Sequence, residues 1–143
     1  MQTFLPYADF ARSAACLDDR RLGKQRVEAK QILRALYDSN YGWQNHPAVR
    51  MWRRHEFELC GYGLAICAEW RKRGFKDSVE MFFHKTMLEV AHIDPEGPSW
   101  LGDERLHSSH RAALLWKRPS FYLKFRWPET PRYSYWWPTQ ETE

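Results

Sequence analysis

A single carboxylate stands among cations in the stretch of residues 18–37. Glu28 follows four basic side chains within one helical run, namely Arg20, Arg21, Lys24 and Arg26. A carboxylate held near cations, at the border between core and solvent, is suited to proton transfer or to stabilising a positively charged transition state. The same spacing also fits an ordinary exposed ion pair between Lys24 and Glu28, which are four residues apart. Spacing alone leaves both interpretations open.

The helix that carries Glu28 is predicted from the spacing of its apolar residues. At about 100° per residue, five apolar side chains form one stripe, and these are Leu22, Ala29, Ile32, Leu33 and Leu36. Four polar side chains lie together along the edge of that stripe, and these are Arg21, Lys24, Gln25 and Glu28. The pattern therefore predicts an amphipathic helix that brings Glu28 to the boundary of the core.

Helix start and stop signals divide the rest of the chain. Five helices are expected, over residues 10–17, 18–37, 47–73, 78–91 and 104–118. Most of them begin after Asp or with Pro, which favour a helix N-terminus, and Gly74 is a typical stop after the third. Pro and Gly in residues 92–103 predict a loop. Residues 119–138, rich in aromatic side chains and Pro, predict a helical turn followed by extended chain. The expected fold class is all-α: a compact helical bundle with an extended aromatic C-terminal tail.

The composition indicates a globular, intracellular protein. The 143 residues fit a single domain, residues 1–143, and 43% of them are hydrophobic. No apolar run is long enough to span a membrane and no signal peptide is visible, so a cytoplasmic location is expected. Three widely spaced cysteines indicate neither disulfides nor a zinc site. The net charge of +4 is compatible with an anionic partner, and aromatic residues, 16% of the chain, can stack on bases where they alternate with Arg and Lys.

Three motifs occur in order along the chain. They are the central helix with its glutamate six residues after Leu22, the segment CAEWRKRGFKD at residues 67–77, and KRPSFYLKF at residues 117–125. Together they resemble the pyrimidine-dimer DNA glycosylase family, the phage endonuclease V-like enzymes, over most of the chain. The resemblance implies an all-α enzyme that binds double-stranded DNA, bends it, flips a base out and cleaves a glycosidic bond. We expect a monomer without a cofactor or a metal ion, associated with the nucleoid when it is bound to DNA.

The resemblance also implies a mechanism. In the family, an N-terminal α-amine attacks the sugar C1′ to form a Schiff base, which permits strand scission (an AP lyase step), and a glutamate of the central helix assists. By position that glutamate is Glu28. The family exposes a small threonine after losing its initiator Met, whereas position 2 here is Gln2, so Met1 is expected to be retained. An α-amine, with a reference pKa of about 7.7–8.0, is a better nucleophile at neutral pH than an exposed lysine. Three nucleophiles stay open: the α-amine of Met1, Lys24 and water.

Further polar side chains are candidates to contact DNA. Cations grip the phosphates that flank an extruded nucleotide, and neutral polar groups can bond to phosphate or sugar. The candidates are Arg20, Arg21, Gln25, Arg26, His46, His107, His110 and Arg111. Val27 stands where the family has an arginine directly before its glutamate, so the phosphate contacts must be distributed differently. The lesion recognised need not be a cyclobutane dimer.

The sequence therefore predicts a DNA glycosylase that excises a damaged or modified base, a pyrimidine by resemblance, with Glu28 as its catalytic carboxylate. Two alternatives remain. The first is a non-catalytic DNA-binding protein that retains the same fold. The second is a metal-dependent nuclease that uses Asp18, Asp19 and Glu28, although both aspartates stand where helix-start residues are expected.

Overall fold

The computed structural model describes residues 1–90 and 96–138. Within these ranges the chain forms seven α-helices and one short 3₁₀ turn, and no β-strand. The helices are α1 (Phe10–Cys16), α2 (Asp19–Tyr37), α3 (Pro47–Arg50), α4 (Glu56–Lys72), α5 (Glu80–Val90), α6 (Glu104–Lys117) and α7 (Pro119–Tyr122), and the 3₁₀ turn is Leu123–Phe125. The prediction of an all-α fold is confirmed. None of these helices combines the length and the apolar character that a membrane span requires.

The core is built around α2 and α4. Helix α2 packs against α4, and α4 packs also against α1 and α5. The predicted apolar stripe of α2 faces this core: Leu22, Ile32 and Leu33 are fully buried. In α4, a Cβ atom at Gly63 would lie 2.5 Å from the ring of Phe83, so only glycine allows α5 to approach α4 this closely.

The prediction of one helix over residues 47–73 is wrong. The chain forms α3, leaves the helical path and starts again as α4, and Arg54 in the connection has a left-handed backbone with φ of 72°. Tertiary packing overrides the helical pattern here, because Trp52 is fully buried and its Nε1 donates to Thr3 Oγ1 at 3.0 Å. The connection is held to the start of α4 by Glu56 Oε1, which accepts from the Arg54 amide at 3.3 Å.

The predicted helix ends are mostly observed. The carboxylates of Asp9 and Asp103 accept hydrogen bonds from main-chain amides in the first turns of α1 and α6. Gly74 follows α4 with φ of +93°, the left-handed conformation that a C-terminal glycine adopts at low cost. Asp18 stands at the N-cap position of α2, but its side chain makes no capping bond. Residues 91–95, which include the last residue of the helix predicted over 78–91 and the start of the predicted loop, lie outside the described residues.

The C-terminal tail forms no helix or strand over residues 127–137 and packs on the body, as predicted. The ring of Trp127 stacks on those of Tyr122 and Phe125, with centroid separations of 5.7 and 5.2 Å. Further along, the ring of Tyr135 contacts the ring of Phe4 at 6.3 Å. The tail therefore returns to the N-terminal segment.

Candidate functional site

Residues 2–6 form an extended segment whose main-chain groups bond to side chains rather than to a second strand. Gln25 Oε1 accepts from the Phe4 amide at 2.8 Å, and Gln25 Nε2 donates to the main-chain oxygen of Gln2 at 2.9 Å. The hydroxyl of Tyr62, a buried residue of α4, lies 2.9 Å from the main-chain oxygen of Phe4. Helices α2 and α4 thus hold one side of the segment.

Helix α6 holds the other side. His110 Nδ1 accepts from the Leu5 amide and His107 Nδ1 donates to the Leu5 oxygen, each at 2.8 Å. Arg111 Nη1 donates to the oxygen of Pro6 at 2.8 Å. Burial lowers the pKa of His110 to about 3, which keeps its ring neutral. Both histidines are buried and all three side chains fix the N-terminal segment, so DNA contacts by them stay a prediction.

The N-terminal segment leads to a cleft of about 530 Å³. Six of the predicted catalytic or DNA-binding residues line this cleft together, and these are Met1, Arg20, Arg21, Lys24, Gln25 and Glu28. The first turns of α2 therefore form one wall, and the start of the chain forms another. The cleft combines an amine, a carboxylate and several cations.

Glu28 is largely buried at this wall, with its side chain 13% exposed. Its Oε2 accepts from Gln25 Nε2 at 2.7 Å, and its Oε1 lies 3.8 Å from Lys24 Nζ. The lysine side chain is 72% exposed, so this ion pair is long and largely screened by solvent. The ion pair between Lys24 and Glu28 is therefore present, but the buried Gln25 rather than Lys24 orients the carboxylate.

The buried carboxylate of Asp18 binds two of the cations that line the cleft. Its carboxylate is 1% exposed and accepts from the Tyr122 hydroxyl, from Arg21 at 3.2 Å and from Arg118 at 3.3 Å. Burial raises the pKa of Asp18, but the Tyr122 hydrogen bond and the two guanidinium groups outweigh burial and hold the pKa below its usual value. Asp18 is therefore an ionised anchor for Arg21 and Arg118.

The two aspartates of the metal-nuclease alternative face different partners. Asp18 is occupied by the contacts just described, whereas Asp19 pairs with Arg73 at 2.9 Å. Within residues 1–90 and 96–138, no group of three or more His, Cys, Asp or Glu side chains is arranged to hold a metal ion. The described residues thus offer no metal-binding cluster on which the nuclease alternative could rest.

Two predicted DNA contacts lie elsewhere. Arg26 does not line the cleft: its Nε donates to Asp77 at 2.7 Å and its guanidinium lies over the ring of Trp70. His46 caps α3, since its Nδ1 accepts from the Ala48 amide at 3.0 Å. Burial and the positive charge of the N-terminal amine lower the pKa of His46, so this ring lies near the start of the chain.

Two cations of the cleft were not predicted from the sequence. Lys117 and Arg118, at the end of α6, line the cleft opposite α2. They are the first two residues of the KRPSFYLKF motif, which entered the sequence analysis only through its resemblance to the family. Their position at a helix C-terminus offers an ordinary structural explanation, because cations there interact well with the helix dipole. No local pattern indicates that this helix end meets α2.

A family model described as pyrimidine dimer DNA glycosylase matches residues 1–83. The matched range contains the N-terminal segment, α1 to α4 and the first residues of α5, and with them Met1, Gln25 and Glu28. Arg118 and the histidines of α6 lie outside it. No curated protein and no solved structure matches the chain.

Proposed function

Because this chain belongs to the pyrimidine dimer DNA glycosylase family, we propose that it removes a damaged or modified pyrimidine from double-stranded DNA, with Glu28 as the catalytic carboxylate. One observation carries the proposal: Glu28 and the N-terminal residue share a single cleft whose other walls are rich in cations. The catalytic carboxylate, the nucleophile and the strand-scission step go beyond family membership and rest on side-chain chemistry.

A carboxylate suits this reaction because breaking the bond between base and sugar develops positive charge on the sugar. An oriented, partly desolvated anion stabilises that charge better than one in water. Glu28 has both properties, since its side chain is 13% exposed and it accepts a hydrogen bond from Gln25. We assign it transition-state stabilisation and proton transfer.

We assign the nucleophile to the α-amine of Met1, with Lys24 as the alternative. The amine is carried by a segment that buried side chains fix on both sides, whereas Lys24 projects into solvent. The amine nitrogen would form a bond to C1′ as the bond from C1′ to the base breaks, and the base would leave with a proton. The C1′–O4′ bond of the sugar would then break, with a proton going to O4′, which converts this adduct into an open-chain Schiff base. Loss of a C2′ proton from the Schiff base would permit β-elimination of the 3′ phosphate, which is the AP lyase step.

The cations around the cleft fit a DNA backbone. Extruding a nucleotide costs a few kcal/mol, which contacts to the flanking phosphates can offset. Arg20 is exposed and makes no ion pair with the described residues, while Arg21 and Arg118 are held in place by Asp18. We propose that Arg20, Arg21, Lys24, Lys117 and Arg118 bind these phosphates.

Borohydride trapping on duplex DNA with an abasic site tests the nucleophile. We expect a covalent adduct, and mass spectrometry of its peptides should locate the DNA on Met1. An adduct on Lys24 would transfer the role to that lysine. A trapped wild-type protein with DNA on neither residue would refute both assignments.

Base release from a panel of modified duplexes, which includes a cyclobutane pyrimidine dimer, tests the reaction and identifies the lesion. Glu28→Gln should lose at least 100-fold in base release, on the order of a single oriented catalytic charge, and retain DNA affinity. Glu89→Gln, an exposed carboxylate on α5, is the matched control. Full activity of Glu28→Gln would refute the assignment. Binding without release or trapping on any duplex would indicate a non-catalytic DNA-binding protein instead.

A further inference from the structure

A second surface, outside the cleft, combines an exposed tryptophan with two arginines. It consists of Trp43, Arg53 and Arg54, which we call the tryptophan–arginine patch. The Trp43 side chain is 59% exposed, and both arginines are exposed. Arg53 donates only to the neutral main-chain oxygen of Gln44, at 3.2 Å, and neither arginine pairs with a carboxylate within the described parts of the chain. The patch therefore presents an aromatic face and two guanidinium groups that form no ion pair with the described residues.

The loop that carries Trp43 is fixed from within. Gln44 Nε2 bonds to the main-chain oxygens of Asp38 and Tyr41, at 2.6 and 3.3 Å, and to that of Ala35 at the end of α2. The His46 amide donates to the Trp43 oxygen at 3.0 Å. These bonds anchor the loop, and the indole ring is exposed on it.

The backbone of the patch is strained. Trp43 and Arg54 have φ of 73° and 72°, and only one other non-glycine residue in the described ranges, Arg126, has a positive φ. Side chains with a Cβ atom are disfavoured in this conformation. Strain of this kind persists where the surroundings impose it, and it concentrates at functional sites. At Trp43 the strained position presents a large apolar ring to solvent.

Ring contacts connect the patch to the cleft. The Trp43 ring lies 5.8 Å from the ring of His46, which lies 6.0 Å from that of Trp137. Trp137 in turn lies 5.6 Å from Tyr135, a residue that lines the cleft. The charge of the N-terminal amine also reaches His46. Trp43 is therefore linked to the cleft through a row of packed rings, although it does not line the cleft itself.

We propose that the tryptophan–arginine patch binds the DNA strand opposite the lesion, with Trp43 stacked in the gap that the extruded nucleotide leaves and Arg53 and Arg54 on that strand's phosphates; this rests on the proposed function. An extruded nucleotide leaves two base faces exposed to water, and an indole ring can cover them. Phosphates adjacent to the gap carry the charge that two unpaired arginines complement. The cleft and the patch thus contact different strands.

A duplex with a tetrahydrofuran abasic analogue opposite 2-aminopurine tests this surface, because 2-aminopurine emits more strongly when it is unstacked. The wild type should bind the duplex and change its emission. Trp43→Ala should bind about tenfold more weakly, as expected for loss of one stacking contact, and lose most of the emission change, whereas Trp43→Phe should retain both. Met81→Ala, which removes an exposed apolar side chain from α5, should bind as the wild type does.

The arginines are tested by the salt dependence of the same binding. Arg53→Gln and Arg54→Gln should each reduce the slope of log affinity against log salt by about 0.9, one phosphate contact. Lys72→Gln is the control, since Lys72 is an exposed cation at the other end of α4, roughly 24 Å away along the helix.

The Trp43→Gly variant separates a role of Trp43 in DNA binding from a role in the stability of the fold. Glycine relieves the positive φ, so this variant should unfold at the wild-type temperature or above while still losing affinity. Two results would overturn the proposal. The first is that Trp43→Ala retains the wild-type emission change and affinity. The second is that Trp43→Ala loses as much affinity for the single-stranded abasic oligonucleotide, which lacks the opposite strand, as it loses for the duplex. If the wild type itself does not bind the abasic duplex, the proposed function fails, which is a distinct outcome.

Discussion

Gln25 Nε2 donates to Glu28 Oε2 at 2.7 Å and, with its second hydrogen, to the main-chain oxygen of Gln2 at 2.9 Å. Its Oε1 accepts from the Phe4 amide at 2.8 Å, which defines the orientation of the amide group. One buried side chain therefore joins the carboxylate of α2 to the segment that ends at Met1.

Replacing Gln25 by Met should damage both stability and catalysis. Methionine has a similar length but no polar group, so it leaves the Phe4 amide and the Gln2 oxygen buried without these partners, at a cost of about 2–4 kcal/mol. Glu28 also loses the donor that orients it, so base release should fall more than DNA affinity does. Denaturant unfolding and single-turnover base release measure the two effects. Gln31→Met, a partly exposed position of the same helix, should change neither.

The cleft cations and Arg26 should differ in their effect on DNA binding. Arg118→Gln should reduce the salt slope of duplex affinity by about 0.9, because the side chain lines the cleft. Arg26→Gln should leave the slope unchanged and destabilise the fold, because Arg26 pairs with Asp77, whose side chain is 1% exposed. An equal drop in slope for both would show that phosphate contacts extend beyond the cleft. Salt titrations followed by fluorescence anisotropy distinguish these results.

Tyr122→Phe should destabilise the protein in a pH-dependent way. The hydroxyl bonds to the buried carboxylate of Asp18, a hydrogen bond to a charge that contributes about 2 kcal/mol. The pKa of Asp18 is lowered in the folded state, so the stability it contributes is present above the unfolded value near 4 and is lost as pH falls through the folded value. Urea unfolding at pH 7 should therefore separate variant and wild type more than unfolding at pH 3. A smaller difference at pH 7 than at pH 3 would contradict the ionised assignment.

His110 should make the fold sensitive to mild acid. Its folded pKa of about 3 lies below the ordinary 6.5, so the unfolded chain binds a proton that the folded chain excludes. The stability from this histidine is present above pH 6.5 and is lost as pH falls toward 3, by about 2 kcal/mol between pH 7 and pH 5. His110→Asn keeps an acceptor for the Leu5 amide and cannot titrate, so its stability should change less over this range. Urea titrations at several pH values measure the free energy of unfolding. An equal change of this free energy with pH in the wild type and in His110→Asn would contradict the prediction.

Periodicity located α2 and its buried stripe, because an amphipathic helix repeats its pattern within a few turns. It could not show the break between α3 and α4, where the apolar pattern continues but Trp52 is drawn into the core against Thr3. Four candidate residues of α2 could be grouped from the sequence since they share one edge of the helix, and these are Arg21, Lys24, Gln25 and Glu28. Arg26, also a candidate, faces Asp77 instead. The pairing of Arg118 with Asp18 spans 100 positions, and only the packed fold brings these residues together.

The extended N-terminal segment makes the site dependent on parts of the chain that are distant in sequence. The Leu5 amide and its acceptor His110 are separated by 105 positions, and Tyr62 supplies another anchor from the middle of the chain. During synthesis, the first residues can therefore reach their final position only after α6 has emerged and docked. We expect the cleft to form late in folding, so that a partly made chain does not yet contain the assembled site.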